Sequence, residues 1–132
     1  MRYSFLIVLG ICGLSMLPGN FTQRGTASYY ADKLNGRRTA SGELFHNTNM
    51  TAAHKTLKLG TWVKVTNLSN DSTVVLKVND RMGQSSPHCI DITTAAAKKL
   101  NFLGKGIAKV LVEEIEQVNQ VTDQESTTPS EK

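Results

Sequence analysis

Residues 61–79 read TWVKVTNLSNDSTVVLKVN, and the next residue is Asp80. From Thr61 to Leu68 polar and apolar side chains alternate, with Val63 and Val65 on one face and Lys64 and Thr66 on the other. A period of two marks a half-buried strand, because successive side chains of an extended chain leave on opposite sides. Ser69-Asn70-Asp71-Ser72 supplies turn formers, and Thr73 to Asn79 resumes the alternation through Val74, Leu76 and Val78. Two alternating runs around a short polar turn predict a β-hairpin. Its second strand runs into Asn79-Asp80-Arg81, which sets a carboxylate beside a guanidinium at the end of the best-defined strand in the chain.

Gly25 to Ala31 (GTASYYA) and Ile107 to Ile115 (IAKVLVEEI) predict two more strands, the second closing the domain. Thr94 to Leu100 (TAAAKKL) predicts a short helix, capped by Thr93 or Thr94 and stopped before Gly104. Asn35 to Lys58 reads as a loop dense in polar side chains, and loops on a β scaffold are where function concentrates. Short strands, one small helix and long connections favour a closed β-barrel, since closure removes exposed edges.

The chain has 132 residues, room for one domain. Met1 to Gly19 reads as an export signal: Arg2 gives a positive start, Phe5 to Cys12 is uninterrupted apolar, and Pro18-Gly19 breaks the run. The apolar stretch is shorter than the roughly 20 residues a bilayer span needs. Cys12 follows Leu9-Gly10-Ile11, a setting similar to a lipobox, although Ile11 stands where the peptidase needs a small residue. Lipidation at Cys12 and plain cleavage after Ser15 or Gly19 are both open. Residues 20–24 then form a linker, 25–116 the folded domain and 117–132 (QVNQVTDQESTTPSEK) a disordered tail too polar to offset its ordering entropy.

Either route leaves Cys89 as the sole cysteine of the domain, so no internal disulfide is expected and Cys89 reads as a small buried apolar residue. Asn20 to Glu116 carries 13 Lys and Arg against 8 Asp and Glu. A basic exported domain is suited to an anionic envelope polymer; nucleic acid is not expected, because no such motif occurs and the few aromatics are not interleaved with the basic residues. His46, His54 and His88 lack paired metal-ligand spacing, so neither a metal nor a cofactor is expected.

Three segments carry the candidate chemistry: NGRRTASGE (35–43), TAAHKTLKLG (51–60) and VNDR (78–81), with Asp91 a further candidate before the helix. Taken in order, GTASYY, NGRRTASGE, TAAHKTLKLGTWVKVTNL, VVLKVNDR and CIDITTAAAKKL resemble the rare lipoprotein A (RlpA) family of bacterial envelope proteins across about residues 25–115. The resemblance implies a mostly β fold, a six-stranded double-psi β-barrel with one or two short helices. It implies lytic transglycosylase activity on peptidoglycan glycan strands stripped of peptides, giving 1,6-anhydro-muramic ends, in a monomer that meets the membrane only through its signal or lipid. It places the protein in the bacterial cell envelope or periplasm.

By the same resemblance Asp80 matches the catalytic aspartate, His54 the functional histidine and Glu43 the acidic residue of the SGE motif. Tyr29, Arg81 and Lys55 join Glu43 as substrate-binding residues. Such a lyase needs one carboxyl group acting first as acid and then as base, and apolar neighbours such as Val78 are expected to favour its protonated form. The chain departs from the family at Phe45-His46, where Tyr-Asp is usual, at Met82-Gly83, where Gly-Pro is usual, and at Tyr29, where tryptophan is common. The alternative is a non-catalytic wall-binding module that stacks sugars on Tyr29, Tyr30 and Trp62. The mass of the mature chain decides how the signal is processed: an acylated Cys12 adds lipid mass, and plain cleavage does not.

Overall fold

A computed structural model describes residues 15–118, with side chains described from 19 to 116. Six strands close a barrel: β1 (Ser15–Tyr29), β2 (Thr51–His54), β3 (Trp62–Asn67), β4 (Thr73–Arg81), β5 (Ile90–Ile92) and β6 (Ala108–Val118). One helix, α1 (Thr94–Lys99), and a 3-10 turn at Asp32–Leu34 complete it. Round the ring the order is β1-β5-β2-β4-β3-β6. β1 and β5 pair in parallel, as do β2 and β4, while the other four pairings are antiparallel.

The predicted hairpin is β3–β4, with Val63 opposite Leu76 and Val65 opposite Val74, all of them buried. These residues meet Ile90, Ile92, Val110 and Val112 in one core, capped by Ala96, Ala97, Leu100 and Phe102 from α1 and the turn after it. Burying each large aliphatic group contributes about 1.5–3 kcal/mol. α1 is held at its start by the Thr93 side chain, which accepts from the Ala96 amide.

Three elements differ from the sequence reading. β1 starts at Ser15, ten residues ahead of the predicted strand, and its added length pairs with β6 as far as Val118. Residues 15–19, read as the end of a signal, and 117–118, read as the start of a tail, therefore lie within strands, whereas Cys12 and the rest of both segments fall outside the described residues. Thr51–His54, read as loop, is β2, and Ile90–Ile92 is β5. Both are short central strands whose partners on each side supply the ladder that their own composition does not announce.

Cys89 is buried, as expected, and it packs so close to Gly25 on β1 that no side chain fits at residue 25. A Cβ at residue 25 would stand 2.8 Å from the Cys89 Sγ and 2.9 Å from its Cβ. Burial pushes the Cys89 thiol up from its usual range, which suits a packing role. Gly25→Ala is expected to cost about 1–3 kcal/mol through this overlap, read as a lower urea midpoint at unchanged slope.

Candidate functional site

The site is built from register. Ser28 on β1 pairs with Asp91 on β5, Asp91 with Ala53 on β2, and Ala53 with Asp80 on β4. Residues opposite one another in a ladder share a face, so these four side chains form one row across four strands. The row is on the outer surface, because Ile90 and Ile92, which flank Asp91, fill the core. Asp80 and Asp91 are two strand spacings apart, roughly 10 Å along the sheet, with only the Ala53 methyl between them.

A slip in the β2–β4 ladder lets Asp80 join this row. Ala52 pairs with Val78, but Ala53 pairs with Asp80, leaving Asn79 as an extra residue. Bulges of this kind re-aim the side chains that follow. Val78 points into the core, so the apolar neighbour expected beside the Asp80 carboxyl is not what surrounds it. Three donors are there instead: Oδ1 accepts from the Ala40 and Arg81 amides, each at 2.9 Å, and Oδ2 accepts from the Tyr30 hydroxyl at 2.9 Å. Asn79 is itself buried, and its Oδ1 meets no donor within the described residues.

Tyr30 comes just after β1, with its ring 4.4 Å from that of Phe45 and its amide bonded to the Ile92 carbonyl at 3.0 Å. Burial, then the charge and hydrogen bond of Asp80, push its phenol far above the ordinary range, so it stays a donor. Asp91 adds to that push and accepts a hydrogen bond from the Ser28 hydroxyl. The polar loop arches over this end of the barrel through a Thr39–Glu43 turn, with Gly42 at φ 89° and the Ser41 amide on the Asn79 carbonyl at 3.0 Å. Its far side is fastened by buried Asn47, whose amide nitrogen donates to Asp32 and Thr94, both at 2.6 Å, and whose side-chain oxygen accepts from the Thr94 amide at 2.7 Å.

The other residues singled out by sequence are dispersed around this centre. Glu43 reaches β4 but pairs with Lys77 at 2.9 Å, not with Asp80. Arg81 bonds the His54 carbonyl through Nη1 at 3.3 Å. Lys55 donates to the Ser86 carbonyl at 2.6 Å, and Gln84 donates to the Lys55 carbonyl, so Lys55 pins the loop after β4. Tyr29 packs edge-on against Phe102 and donates to the Leu103 carbonyl at 2.9 Å, on the core side of β1 and away from the row. His46 is exposed. Tyr30, named in the sequence reading only as a stacking candidate, is the side chain that touches Asp80; Ser28 and Asn47 had no sequence signal beyond being small and polar.

His54 is buried at 1% exposure, with both ring nitrogens engaged. Nδ1 accepts from the Thr56 and Leu57 amides at 3.1 and 3.0 Å, which leaves Nε2–H to donate to Gln23 at 2.9 Å. The ring also meets Phe21 edge-on at 5.4 Å. Burial, then Arg81 and Lys55, lower its pKa from 6.5, so the neutral ring is the folded form. A proton gained by the unfolded chain is then not matched in the folded one. Stability should be full above about pH 6.5 and fall as pH drops below it, with a slope approaching about 1.4 kcal/mol per pH unit. Urea midpoints measured from pH 7.5 to 5 should show that decline, and His54→Gln should flatten it.

The lytic transglycolase family model, a double-psi β-barrel, matches residues 22–112. An endolytic peptidoglycan transglycosylase RlpA of Pseudomonas aeruginosa is 50% identical over 94 residues, covering 71% of this chain and 28% of that protein. RlpA of Neisseria meningitidis is 44% identical over 109 residues, covering 80% of this chain and 46% of that protein. The chain thus spans less than half the length of these relatives. Among solved structures, a Streptomyces papain inhibitor aligns at TM-score 0.60 and 22% identity, over 75% of this chain and 97% of the inhibitor. A Clavibacter michiganensis expansin in complex with cellohexaose aligns at 0.60 and 17%, over 75% of this chain and 52% of the expansin. Those two share the fold. Since the matched stretch runs from β1 to β6 and takes in the whole row from Ser28 to Asp80, the chain belongs to the lytic transglycolase family, as an RlpA-type double-psi β-barrel.

Proposed function

We propose that this domain is a lytic transglycosylase of the cell envelope that cleaves peptidoglycan glycan strands, with Asp80 as its acid and base. The observation that carries the reading is the placement of Asp80: on the outer face, partly exposed, with its carboxyl fixed by Tyr30 and Ala40 opposite the small, buried Ala53. The names of the RlpA relatives supply the reaction class.

Asp80, protonated, gives its proton to the glycosidic oxygen as the C1–O bond of the muramic residue breaks. The departing sugar leaves with a free hydroxyl, and positive charge develops at C1. The Asp80 carboxylate then takes the proton of the same residue's 6-hydroxyl while O6 bonds to C1, which closes the 1,6-anhydro ring and restores the acid. No water is consumed, so no second carboxylate is needed to activate one. Oδ1 already accepts two amide protons, whereas Oδ2 accepts one, so Oδ2 has the lone pair left for the travelling proton. Tyr30 orients that oxygen.

His54 and Lys55 contribute at one remove: the 54–57 turn and the Lys55–Ser86 bond shape the wall beside Arg81. Arg81 is exposed next to Asp80 and offers a counter-charge to the lactyl carboxylates that peptide-free strands expose. Glu43, paired with Lys77, holds the loop that brings Ala40 to Asp80. We further propose export to the envelope through the segment 1–19, with Cys12 as the residue a lipid would occupy.

Peptide-free glycan strands incubated with the protein should yield 1,6-anhydro-muramic ends. Asp80→Asn should lower that yield by about 10²–10⁴-fold with the fold intact. Tyr30→Phe, which removes one hydrogen bond to a carboxyl group, should lower it about 10- to 100-fold. Binding to sacculi without soluble products, unchanged in Asp80→Asn, would overturn the reading in favour of a wall-binding module.

A further inference from the structure

The side of the barrel remote from Asp80 carries a second surface with different chemistry. The turn that joins β3 to β4 lies at the end of that hairpin away from Asp80, and beside it the start of β6 pairs with Thr26 of β1, two residues before Ser28 at the end of the row. Among the described residues three large hydrophobic side chains are exposed, and two of them, Ile107 at 48% and Leu68 at 39%, flank the start of β6. Ala108 and Val110 point into the core, so Lys109 between them points out. The Leu68 amide donates to the Lys109 carbonyl at 2.9 Å, which ties Leu68 to the same patch.

Beside these residues opens a cavity of about 470 Å³, lined by Asn67, Asn70, Asn101, Phe102, Lys105 and Lys109 among others. Asn67 and Asn70 spend their amide groups on the Leu100 carbonyl, so the wall is braced from within. The charged groups that line it are cationic. Lys105 and Lys109 are exposed at the cavity, and Lys98 lines the adjoining depression with Asn101. None of the three has a carboxylate within ion-pair distance among the described residues; the two ion pairs found there, Lys64–Glu113 and Lys77–Glu43, are elsewhere. Asp71 lies in the turn beside Asn70, and the carboxylates of β6, Glu113, Glu114 and Glu116, follow four or more residues beyond Lys109.

This pattern suits a sugar poorly, because it presents no flat aromatic face: Phe102 is buried, and Tyr29 is bonded to Leu103. Aliphatic tips among unpaired ammonium groups match an interface of acyl chains and phosphate headgroups, where each lysine gains from the negative surface and the apolar tips enter the boundary layer. We propose that this face docks the barrel onto an anionic phospholipid bilayer. Ile107 and Leu68 enter the headgroup region, Lys98, Lys105 and Lys109 pair with lipid phosphates, and Asp80, at the far end of the β3–β4 hairpin from Leu68, stays clear of the membrane. The attachment is peripheral, and it is independent of any acyl chain on Cys12.

The full chain should sediment with phosphatidylglycerol-containing vesicles more than with pure phosphatidylcholine vesicles, and added salt should weaken the preference. The double variant Lys105→Glu with Lys109→Glu should lower partitioning onto the anionic vesicles by about tenfold or more, and Ile107→Ser by a smaller factor. Every variant retains residues 1–14, so the differences report this face and not the apolar N-terminal run. Unchanged urea midpoints confirm that the variants fold, so the outcome does not depend on the proposed reaction. Equal partitioning onto both vesicle types, or anionic partitioning unaffected by the double variant, would overturn the proposal. So would loss of binding to a soluble anionic polysaccharide in that variant with vesicle binding unaffected, since it would assign the face to a polymer.

Discussion

The one-residue slip between β2 and β4 is the constraint on which the site depends. Strict alternation along β4 sends Val74, Leu76 and Val78 inward and would send Asp80 inward after them. A carboxylate in that core would be unpaired and costly to desolvate. Inserting Asn79 as an unpaired residue moves Asp80 to the outer face, opposite Ala53. The same extra residue exposes a carbonyl that receives the Ser41 amide, so the loop above is anchored on the irregularity that delivers the catalytic candidate. The ladder fault and the loop that covers it are one device.

Support for this end of the barrel comes from buried polar groups and not from added apolar bulk. Asn47 joins the loop, the start of α1 and the 3-10 turn through short hydrogen bonds, and Thr93 caps α1 while its hydroxyl also donates to the Asn49 carbonyl. Removing one partner from such a network strands others, so the connections reinforce one another. His54 extends the same logic to the opposite wall. Its neutral ring satisfies two amides of the following turn and Gln23 on β1, which makes it a brace between the first strand and the turn after β2. The family departure at His46 falls on an exposed loop residue outside this bonding, so the Asp80 contacts form without the usual acid at that position.

Much of this was legible in the residues. The hairpin, the helix and the closing strand followed from periodicity and caps, because their signals are local. β2 and β5 were not, for a physical reason: four and three residues are too few for a period to declare itself, and Thr-Ala-Ala-His has little strand preference of its own. They are strands because neighbours on both sides complete their hydrogen bonds. The early start of β1 escaped for a related reason, since it is set by the reach of β6 and not by any pattern in Ser15 to Arg24.

A carboxylate at the end of the strongest strand is legible in the residues alone, and the ordered motifs around it point to the family and the barrel. Which groups meet that carboxylate is set by the folded chain. Tyr30 and Ala40 are 50 and 40 residues distant from Asp80 along the chain, and Ser28 is 63 from Asp91. Contacts at such separations arise from strand order and register, which no local pattern encodes. Register likewise turned Glu43 to Lys77, Tyr29 to the core and His54 to Gln23, because a side chain's surroundings are set by the face its strand presents and by whichever strand closes beside it.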